Sequence, residues 1–369
     1  MSSGRGDGHD VIYETETRVG RRNIVYLREG QFGDDRLITP NDIEILTQNV
    51  NGNMDTMIIR IKDTGETLTI GCGFNRDIHN VNNAASIQVI KFADGTVWEW
   101  EDILKQPIHV MEGYRFGQTS AGGGWLVGND LDNHLNGSIK DDRLYGGEGN
   151  DRLVGCQGND TLWGGTGDDI MEGGEGDDTY IFGRGDGHDV IYETETRAGR
   201  RNVVYLREGI GCDDIQILTD PVNGTASSMV IRIKDTGETL TIGSGFQSAY
   251  TNTQNAASIQ AIEFADGTVW EWEDILRLPT YVMDGKTFGQ TSTEGSWLVA
   301  NDLNSELRGS NNNDILQGGT GDYKLYAYAG DDTLWGGGGN DYLAGGAGND
   351  ILYGGNGDAK KGPCSHGRG

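Results

Sequence analysis

The chain has 369 residues, and its 57 acidic and 29 basic side chains give a formal net charge of −28. This acidity argues against nucleic acid and against an anionic membrane as the main partner, since both require a basic surface. Glycine contributes 61 residues and proline only 5, while apolar residues make up 35%. A chain so poor in apolar residues needs something besides a large hydrophobic core in order to fold.

The N-terminal residues contain no apolar stretch, so we expect no cleaved signal peptide. No apolar run approaches the roughly 18 residues of a membrane-spanning helix, so we expect no transmembrane segment. The four cysteines are far apart and form no Cys-x-x-Cys pair, so we interpret them as incidental thiols.

A long internal repeat divides the chain into two copies of one unit. The sequence GRGDGHDVIYE at 4–14 returns at 183–193, and residues 83–104 return at 255–276 with two changes. Each copy consists of a β-like module followed by a block rich in glycine and aspartate. We therefore predict modules at 1–127 and 183–299, repeat blocks at 128–182 and 300–358, and an aberrant tail at 359–369.

The first module is predicted to consist of short strands. Residues 23–27, 57–61 and 66–70 are rich in β-branched side chains that roughly alternate with polar ones. Residues 87–92 and 96–100 flank Asp94-Gly95, which favours a hairpin because this pair tolerates the positive φ of a tight turn. A short helix is compatible with 101–104, and no long amphipathic helix is predicted.

Each block repeats a nine-residue unit, G-G-x-G-x-D-x-U-x, in which U is a large apolar residue. This pattern is a known signature of calcium-binding parallel β-helices. Glycines at positions 1, 2 and 4 allow the tight curl that turns carbonyl oxygens inward, and the aspartate at position 6 adds a carboxylate. Carbonyl and carboxylate oxygens are the ligands that Ca²⁺ prefers.

We predict an all-β chain, with two parallel β-roll blocks alternating with two duplicated β-rich modules. Two units make one turn of a right-handed roll, so loops on one side recur every 18 residues, and a calcium ion is expected between adjacent loops. The predicted interior residues are Leu144, Leu153, Leu162, Met171, Tyr180, Leu316, Leu325, Leu334, Leu343 and Leu352. The predicted metal ligands are Asp142, Asp151, Asp160, Asp169, Asp178, Asp314, Asp332, Asp341 and Asp350.

Residues 137–181 carry 11 acidic and three basic side chains, with one buried apolar side chain per nine residues. At about 1.5–3 kcal/mol per buried side chain, such a core cannot offset ordering costs above about 1 kcal/mol per residue. Stacked carboxylates also repel each other, and divalent cations reverse that effect. We therefore predict a chain that is disordered at cytosolic calcium and folded outside the cell.

The blocks resemble the RTX (repeats-in-toxin, haemolysin-type calcium-binding) family. The modules, through GRGDGHDVIYE and FADGTVWEWEDI, resemble the β-rich domain that accompanies such repeats. The resemblance implies Ca²⁺ as the bound ion, type I secretion of the unfolded chain, and folding in extracellular calcium. Toxins, lipases, proteases, adhesins and surface-layer proteins share these repeats, so the repeats do not select a role.

Some residues depart from the pattern. Tyr323 replaces the position-6 aspartate, and Ala327 and Ala329 replace glycines, so we expect one or two weak or missing sites in the second block. The basic tail resembles a frameshift or a fragment end, and the chain starts within a unit at Gly4. We therefore treat the chain as a piece of a longer repetitive protein.

Three functions stay open. The first is a calcium-folded, non-catalytic region of a secreted haemolysin-like protein, favoured because the chain contains neither H-E-x-x-H nor G-x-S-x-G. The second is an adhesin that contacts a host-cell surface or glycan, with Trp98, Trp125 and their copies as an aromatic platform or as core. The third is the non-catalytic region of a secreted enzyme. The two Arg-Gly-Asp sequences and the paired His9 and His188 are interpreted as ordinary loop residues.

Overall fold

The computed structural model describes residues 2–4, 8–13, 23–28, 37–50, 53–71, 87–119, 122–193, 199–222, 225–243, 259–290, 295–356 and 360–361. The chain forms two compact units, Met1–Tyr180 and Ile181–Gly369. Over these ranges both units consist mainly of strands, and each has one short α-helix. The all-β class with parallel β-roll blocks is therefore confirmed.

In the described part of the first unit, a 3₁₀ turn lies at Pro40–Asp42 and helix α1 at Trp100–Leu104. The strands are β1 (Ser2–Gly4), β2 (His9–Tyr13), β3 (Ile24–Arg28), β4 (Ile43–Val50), β5 (Asn53–Ile61), β6 (Thr67–Gly71), β7 (Val89–Phe92), β8 (Val97–Glu99), β9 (Pro107–Val110), β10 (Phe116–Gln118), β11 (Trp125–Val127), β12 (His134–Asn136), β13 (Arg143–Glu148), β14 (Arg152–Gln157), β15 (Thr161–Thr166), β16 (Ile170–Glu175) and β17 (Thr179–Phe182).

The module of the first unit is built on an antiparallel meander of β4, β5 and β6. The predicted hairpin between β7 and β8 is present, and Gly95 in its turn has a φ of 91°. The second hairpin strand ends at Glu99 and not at Trp100, because the Asp102 carboxylate accepts the Glu99 N–H and starts α1. Among the described residues, no helix has the length and apolar character that crossing a membrane requires.

The roll of the first unit consists of two parallel ladders, one running β9-β11-β13-β15 and the other β10-β12-β14-β16. Leu144 pairs with Leu162 and Leu153 pairs with Met171, so each turn takes 18 residues, as predicted. The predicted interior side chains, from Leu144 to Tyr180, are at most 2% exposed. Strand β4 of the module pairs in parallel with β9, so the sheet of the module continues into the roll.

In the described part of the second unit, a 3₁₀ turn lies at Cys212–Asp214 and helix α2 at Trp272–Arg277. The strands are β18 (His188–Ile191), β19 (Val203–Leu206), β20 (Ile215–Val222), β21 (Thr225–Ile233), β22 (Thr239–Ile242), β23 (Ala261–Phe264), β24 (Val269–Glu271), β25 (Pro279–Val282), β26 (Phe288–Gln290), β27 (Trp297–Val299), β28 (Glu306–Arg308), β29 (Ile315–Gln317), β30 (Lys324–Tyr326), β31 (Thr333–Trp335), β32 (Tyr342–Ala344), β33 (Ile351–Tyr353) and β34 (Lys360–Lys361).

The second unit repeats the architecture of the first. Its roll has the ladders β25-β27-β29-β31-β33 and β26-β28-β30-β32-β34, and β20 of the module pairs in parallel with β25. Leu316, Leu325, Leu334 and Leu343 fill the interior as predicted, whereas Leu352 is only partly buried.

Candidate metal centre

The loops of the roll can form only because glycine occupies particular positions. Gly165 and Gly167, at positions 2 and 4 of one unit, have φ values of 106° and 136°. A Cβ on either residue would collide with the carbonyl oxygen of Gly147 or Gly149, one turn earlier. Positive φ and this close approach together require glycine, and they stack the carbonyl groups of successive loops.

The position-6 aspartates form an inner ladder along each side of the rolls. In every case Oδ1 accepts the backbone N–H of the residue 18 positions earlier, at an N···O distance of 2.6–3.2 Å. The predicted stacking by 18 residues is therefore present. The donor–acceptor pairs are Gly124–Asp142, Asn133–Asp151, Asp142–Asp160, Asp151–Asp169, Asp160–Asp178, Ser296–Asp314, Asp314–Asp332, Tyr323–Asp341 and Asp332–Asp350.

The second carboxylate oxygen of these residues faces a small polar space. Oδ2 of Asp151, Asp160, Asp332 and Asp341 is buried without a hydrogen-bond partner. A Cβ on Gly155 would collide with Asp160 Oδ2 and would lie 2.6 Å from the Gly173 carbonyl oxygen of the next turn. A carboxylate oxygen and a carbonyl oxygen thus converge on the same space, which we call the cradle. An anionic oxygen buried in this way is unfavourable unless the carboxyl group is protonated or meets a cation.

The side chains alone do not complete a metal site. Within the described ranges, no three His, Cys, Asp or Glu side chains come together in a group that could hold a metal ion. The glycine loops place backbone carbonyl oxygens beside these carboxylates, where they are available as further ligands. This combination suits Ca²⁺, which takes six to eight oxygen ligands and accepts irregular geometry.

Two of the predicted ligands differ from the others because both of their oxygens already accept protein N–H groups. Asp142 Oδ2 accepts the Ser138 N–H at 2.6 Å, and Asp314 Oδ2 accepts the Ser310 N–H at 2.6 Å. Both serines occupy position 2 of the first full unit of a block. These two carboxylates hold the starts of the rolls, and we rank them below the remaining seven as ligands.

Without a cation the inner ladder is electrostatically unfavourable. Removal from water raises the pKa of Asp160 to about 8 and the pKa of Asp151 and Asp332 to about 7. The same cause raises the pKa of Asp142 and Asp169 to about 6. The N–H group that each carboxylate accepts opposes this shift, whereas repulsion from Asp142 and Asp178 adds to it at Asp160.

Calcium binding should therefore compete with protons. These folded-state pKa values lie above the ordinary 3.8, so the metal-free roll holds more protons than the unfolded chain between about pH 4 and 8. The free energy of unfolding of the metal-free roll therefore decreases as the pH rises through this window. Calcium binds only to the ionised form of these carboxylates, so calcium and protons compete for them. We expect proton release on calcium binding near pH 6, where protonation favours the folded metal-free roll, and an apparent Kd that weakens as the pH falls from 8 to 6. Calorimetry in two buffers of different ionisation enthalpy measures the release, and identical heats in both buffers would contradict it.

A second, outer ladder was not predicted from the sequence. Position 5 is Asn or Asp in every full unit of both blocks. Eight hydrogen bonds of 2.7–3.0 Å link these residues and their equivalents in the preceding degenerate units, and in each the Oδ1 of one residue accepts the N–H of the residue one turn later. Carboxylate and amide alternate along each stack, so no two outer carboxylates are adjacent. The stacks are Asp132-Asn150-Asp168, Asp141-Asn159-Asp177, Asn304-Asp322-Asn340 and Asn313-Asp331-Asn349.

The alternation can be tested by breaking it. Asn159→Asp inserts a carboxylate between Asp141 and Asp177, so that three follow in succession, and like charges on adjacent strands typically cost about 0.2–1 kcal/mol. We expect thermal unfolding of the calcium-loaded protein to occur a few degrees lower, with the difference shrinking in high salt. Asn159→Ser is the control, since it shortens the side chain without adding charge. A salt-independent loss equal in both variants would contradict a role for charge alternation.

The other candidates from the sequence have structural roles where they are described. Asp186 of the second Arg-Gly-Asp sequence is 1% exposed and pairs with Arg207 at 2.8 Å, so this sequence is not displayed; the first, at 5–7, lies outside the described residues. The Nδ1 atoms of His9 and His188 lie 3.0 and 2.9 Å from threonine hydroxyls. Cys156 and Cys212 are free thiols, whereas Cys72 and Cys364 lie outside the described residues.

Some of the tryptophan side chains pack inside the modules, whereas Trp125 lies at the surface. Trp98 and Trp270 meet Phe92 and Phe264 edge to face, with ring centroids 4.8 and 4.9 Å apart, so both contribute to module packing. Trp125, by contrast, is 37% exposed and lines a surface cavity of about 350 Å³.

Paired parallel ladders, glycine loops and buried, stacked carboxylates define a calcium-binding β-roll. The family model of the RTX calcium-binding nonapeptide repeat (4 copies) matches residues 127–158, 155–189, 308–343 and 326–358. The model of the haemolysin-type calcium binding protein related domain matches residues 57–102 and 229–274. Comparison with curated proteins gave no match. The chain belongs to the RTX haemolysin-type calcium-binding repeat proteins, and its repeats bind Ca²⁺.

Proposed function

We propose that the two rolls are calcium-folded scaffolds within a secreted RTX-type protein. The ligands would be the position-6 aspartates, most strongly Asp151, Asp160 and Asp341, together with backbone carbonyls of adjacent loops. The observation that carries this proposal is the cradle, in which buried Oδ2 atoms lack a hydrogen-bond donor. A bound calcium ion supplies the positive charge that makes stacked carboxylates attractive instead of repulsive.

The need for a cation supports a role outside the cell. With a Kd near 10⁻⁴ M, about 1 mM calcium adds about 1.4 kcal/mol per site, and cytosolic calcium adds almost nothing. The rolls of such a chain are disordered at cytosolic calcium and fold where calcium is abundant, which fits the type I secretion that we propose. Extracellular localisation is therefore part of the proposal.

The role we propose for this chain is structural and non-catalytic. RTX repeats are not catalytic modules. The buried carboxylates of the rolls accept hydrogen bonds from backbone N–H groups of the neighbouring turn, as Asp160 does from Asp142. The rolls would hold the modules in place within a longer haemolysin-like protein. Contact with a host-cell surface or glycan through the exposed Trp125 is the alternative role, and the non-catalytic region of a secreted enzyme is another.

The test is a calcium titration of the metal-free full chain, with calorimetry and circular dichroism recorded on the same sample. We expect several ions to bind per chain, with β structure forming in parallel with the heat. Heat of calcium binding without a change in the circular dichroism spectrum would contradict calcium-driven folding. Absence of any heat of binding would contradict the proposed ligands.

A further inference from the structure

The second roll contains one turn whose inner ladder is built differently. Tyr323 occupies position 6, where other full units carry aspartate, and its N–H donates to Asp341 Oδ1 at 3.0 Å. Its backbone therefore has the same place in the ladder as an aspartate. Its side chain is 1% exposed, so the phenol lies inside the roll and not on its surface.

The phenol fills the cradle. A Cβ on Gly318, at position 1 of the same unit, would lie 2.8 Å from Cδ2 of the Tyr323 ring, and a Cβ on Gly319 would lie 2.8 Å from its hydroxyl oxygen. In the units that carry aspartate, the Cβ of the position-1 residue would instead meet the carboxylate Oδ2. The ring thus occupies the space that carboxylate and cation share elsewhere.

The hydroxyl group of Tyr323 contacts the backbone groups that a bound cation would otherwise contact at this turn. It donates a hydrogen bond to the Asn301 carbonyl oxygen at 2.7 Å and accepts the Gly321 N–H at 3.3 Å. Asn301 is the position-2 residue of the preceding turn. A backbone carbonyl of one loop and a side chain of the next are therefore joined directly, with no cation between them.

The opposite side of the same roll is modified as well. Ala327 occupies position 1 of the following unit, is fully buried, and belongs to the apolar core together with Tyr323 and Leu325. Its methyl group replaces the hydrogen of the glycine that borders the cradle in other full units. The first roll has neither change, since it keeps glycine at position 1 and aspartate at position 6 in all five full units.

We propose that Tyr323 is a built-in substitute for a bound calcium ion, so that the second roll contains a turn that closes without metal and orders at lower calcium than the first roll. This inference rests on the proposed function, because it assumes that the unmodified turns close on calcium. It assigns fewer calcium ions to the second roll and two separate calcium thresholds to the chain.

The two rolls can be observed separately in the full chain. Trp163 and Trp335 occupy position 9 of equivalent units, each ending in Thr-Leu-Trp. Incorporation of 5-fluorotryptophan labels all eight tryptophans, and the resonances of Trp163 and Trp335 are identified as those lost in Trp163→Phe and Trp335→Phe. In a calcium titration from EGTA, we expect the Trp335 resonance to reach its folded position at several-fold lower calcium than the Trp163 resonance.

Substitutions of Tyr323 test the cause. Tyr323→Asp restores the repeat pattern, and we expect one more calcium ion by calorimetry and a Trp335 midpoint raised to that of Trp163. Tyr323→Phe keeps the ring without its hydroxyl group, and we expect an intermediate midpoint with no additional ion. Tyr192→Asp makes the same chemical change at a residue of the module that is 50% exposed, and it should leave the ion count unchanged.

Equal midpoints for Trp163 and Trp335 in the unsubstituted chain would overturn the inference, as would an unchanged ion count in Tyr323→Asp. Failure of the proposed function would look different, because neither tryptophan resonance would then respond to calcium.

Discussion

Chelation of calcium should unfold the first roll while the modules stay folded. The roll buries about one apolar side chain per nine residues against a ladder of carboxylates, whereas the meander of the module buries closely spaced residues such as Ile45, Met57 and Ile59. If one site is counted for each of Asp151, Asp160, Asp169 and Asp178, four sites at about 1.4 kcal/mol each contribute about 6 kcal/mol, which is comparable to the whole stability of a domain. Loss of the ions therefore removes most of the free energy that keeps the roll ordered.

Hydrogen exchange measured peptide by peptide distinguishes the two regions. After addition of EGTA, we expect amides of 137–178 to exchange freely and amides of 43–48 and 56–61 to stay protected. Magnesium is the matched control ion: it demands a tight octahedral shell and gives up water reluctantly, so it should not restore protection. Protection of the roll peptides that persists in EGTA would contradict a cation-dependent fold.

Asp160→Asn should have opposite effects with and without calcium. The amide keeps Oδ1 as the acceptor for the Asp142 N–H, and its Nδ2 can donate toward the Gly173 carbonyl oxygen across the cradle. In EGTA at pH 8, where the unsubstituted roll is expected to be disordered, removal of a buried charge should favour the folded roll by about 1–3 kcal/mol and slow amide exchange over 137–178. In calcium, the loss of an anionic ligand should destabilise it and remove at least one bound ion.

The matched control for this substitution is Asp141→Asn. It makes the same chemical change on the neighbouring residue, which belongs to the outer ladder and is exposed. We expect changes below about 0.5 kcal/mol in both conditions. Chemical denaturation measures the effects in calcium, and hydrogen exchange of peptides from 137–178 measures them in EGTA. Exchange over 137–178 in EGTA that is as free in Asp160→Asn as in the unsubstituted chain would contradict an unfavourable buried charge at Asp160.

The repeat blocks were predictable because their period fixes both register and interior. Once two units make a turn, the pairing of Leu144 with Leu162 and the stacking of Asp142 with Asp160 follow from the 18-residue spacing. The hairpin at Asp94-Gly95 was predictable for a local reason, since few residue pairs tolerate its turn. Family membership and the bound ion followed from the same motif.

Other features depend on contacts that no single unit displays. The outer ladder has a signal in the sequence, Asn or Asp at every position 5, but its alternation becomes visible only after residues are grouped by 18. The roles of Ser138 and Ser310 depend on which carboxylate oxygen faces them. The sequence indicated that Tyr323 removes a ligand, whereas its hydrogen bond to Asn301 depends on how far a phenol reaches across the cradle.

The pairing of β4 with β9 and of β20 with β25 has a kinetic consequence. In each unit the edge strand of the antiparallel sheet of the module pairs with the first strand of the roll. The roll can therefore form by adding strands to an existing sheet, without a separate nucleation step. Every later rung contacts only its immediate neighbours, as in other linear repeat arrays. Ordering should therefore advance from the module outward in one direction, and a single defective rung should halt everything beyond it.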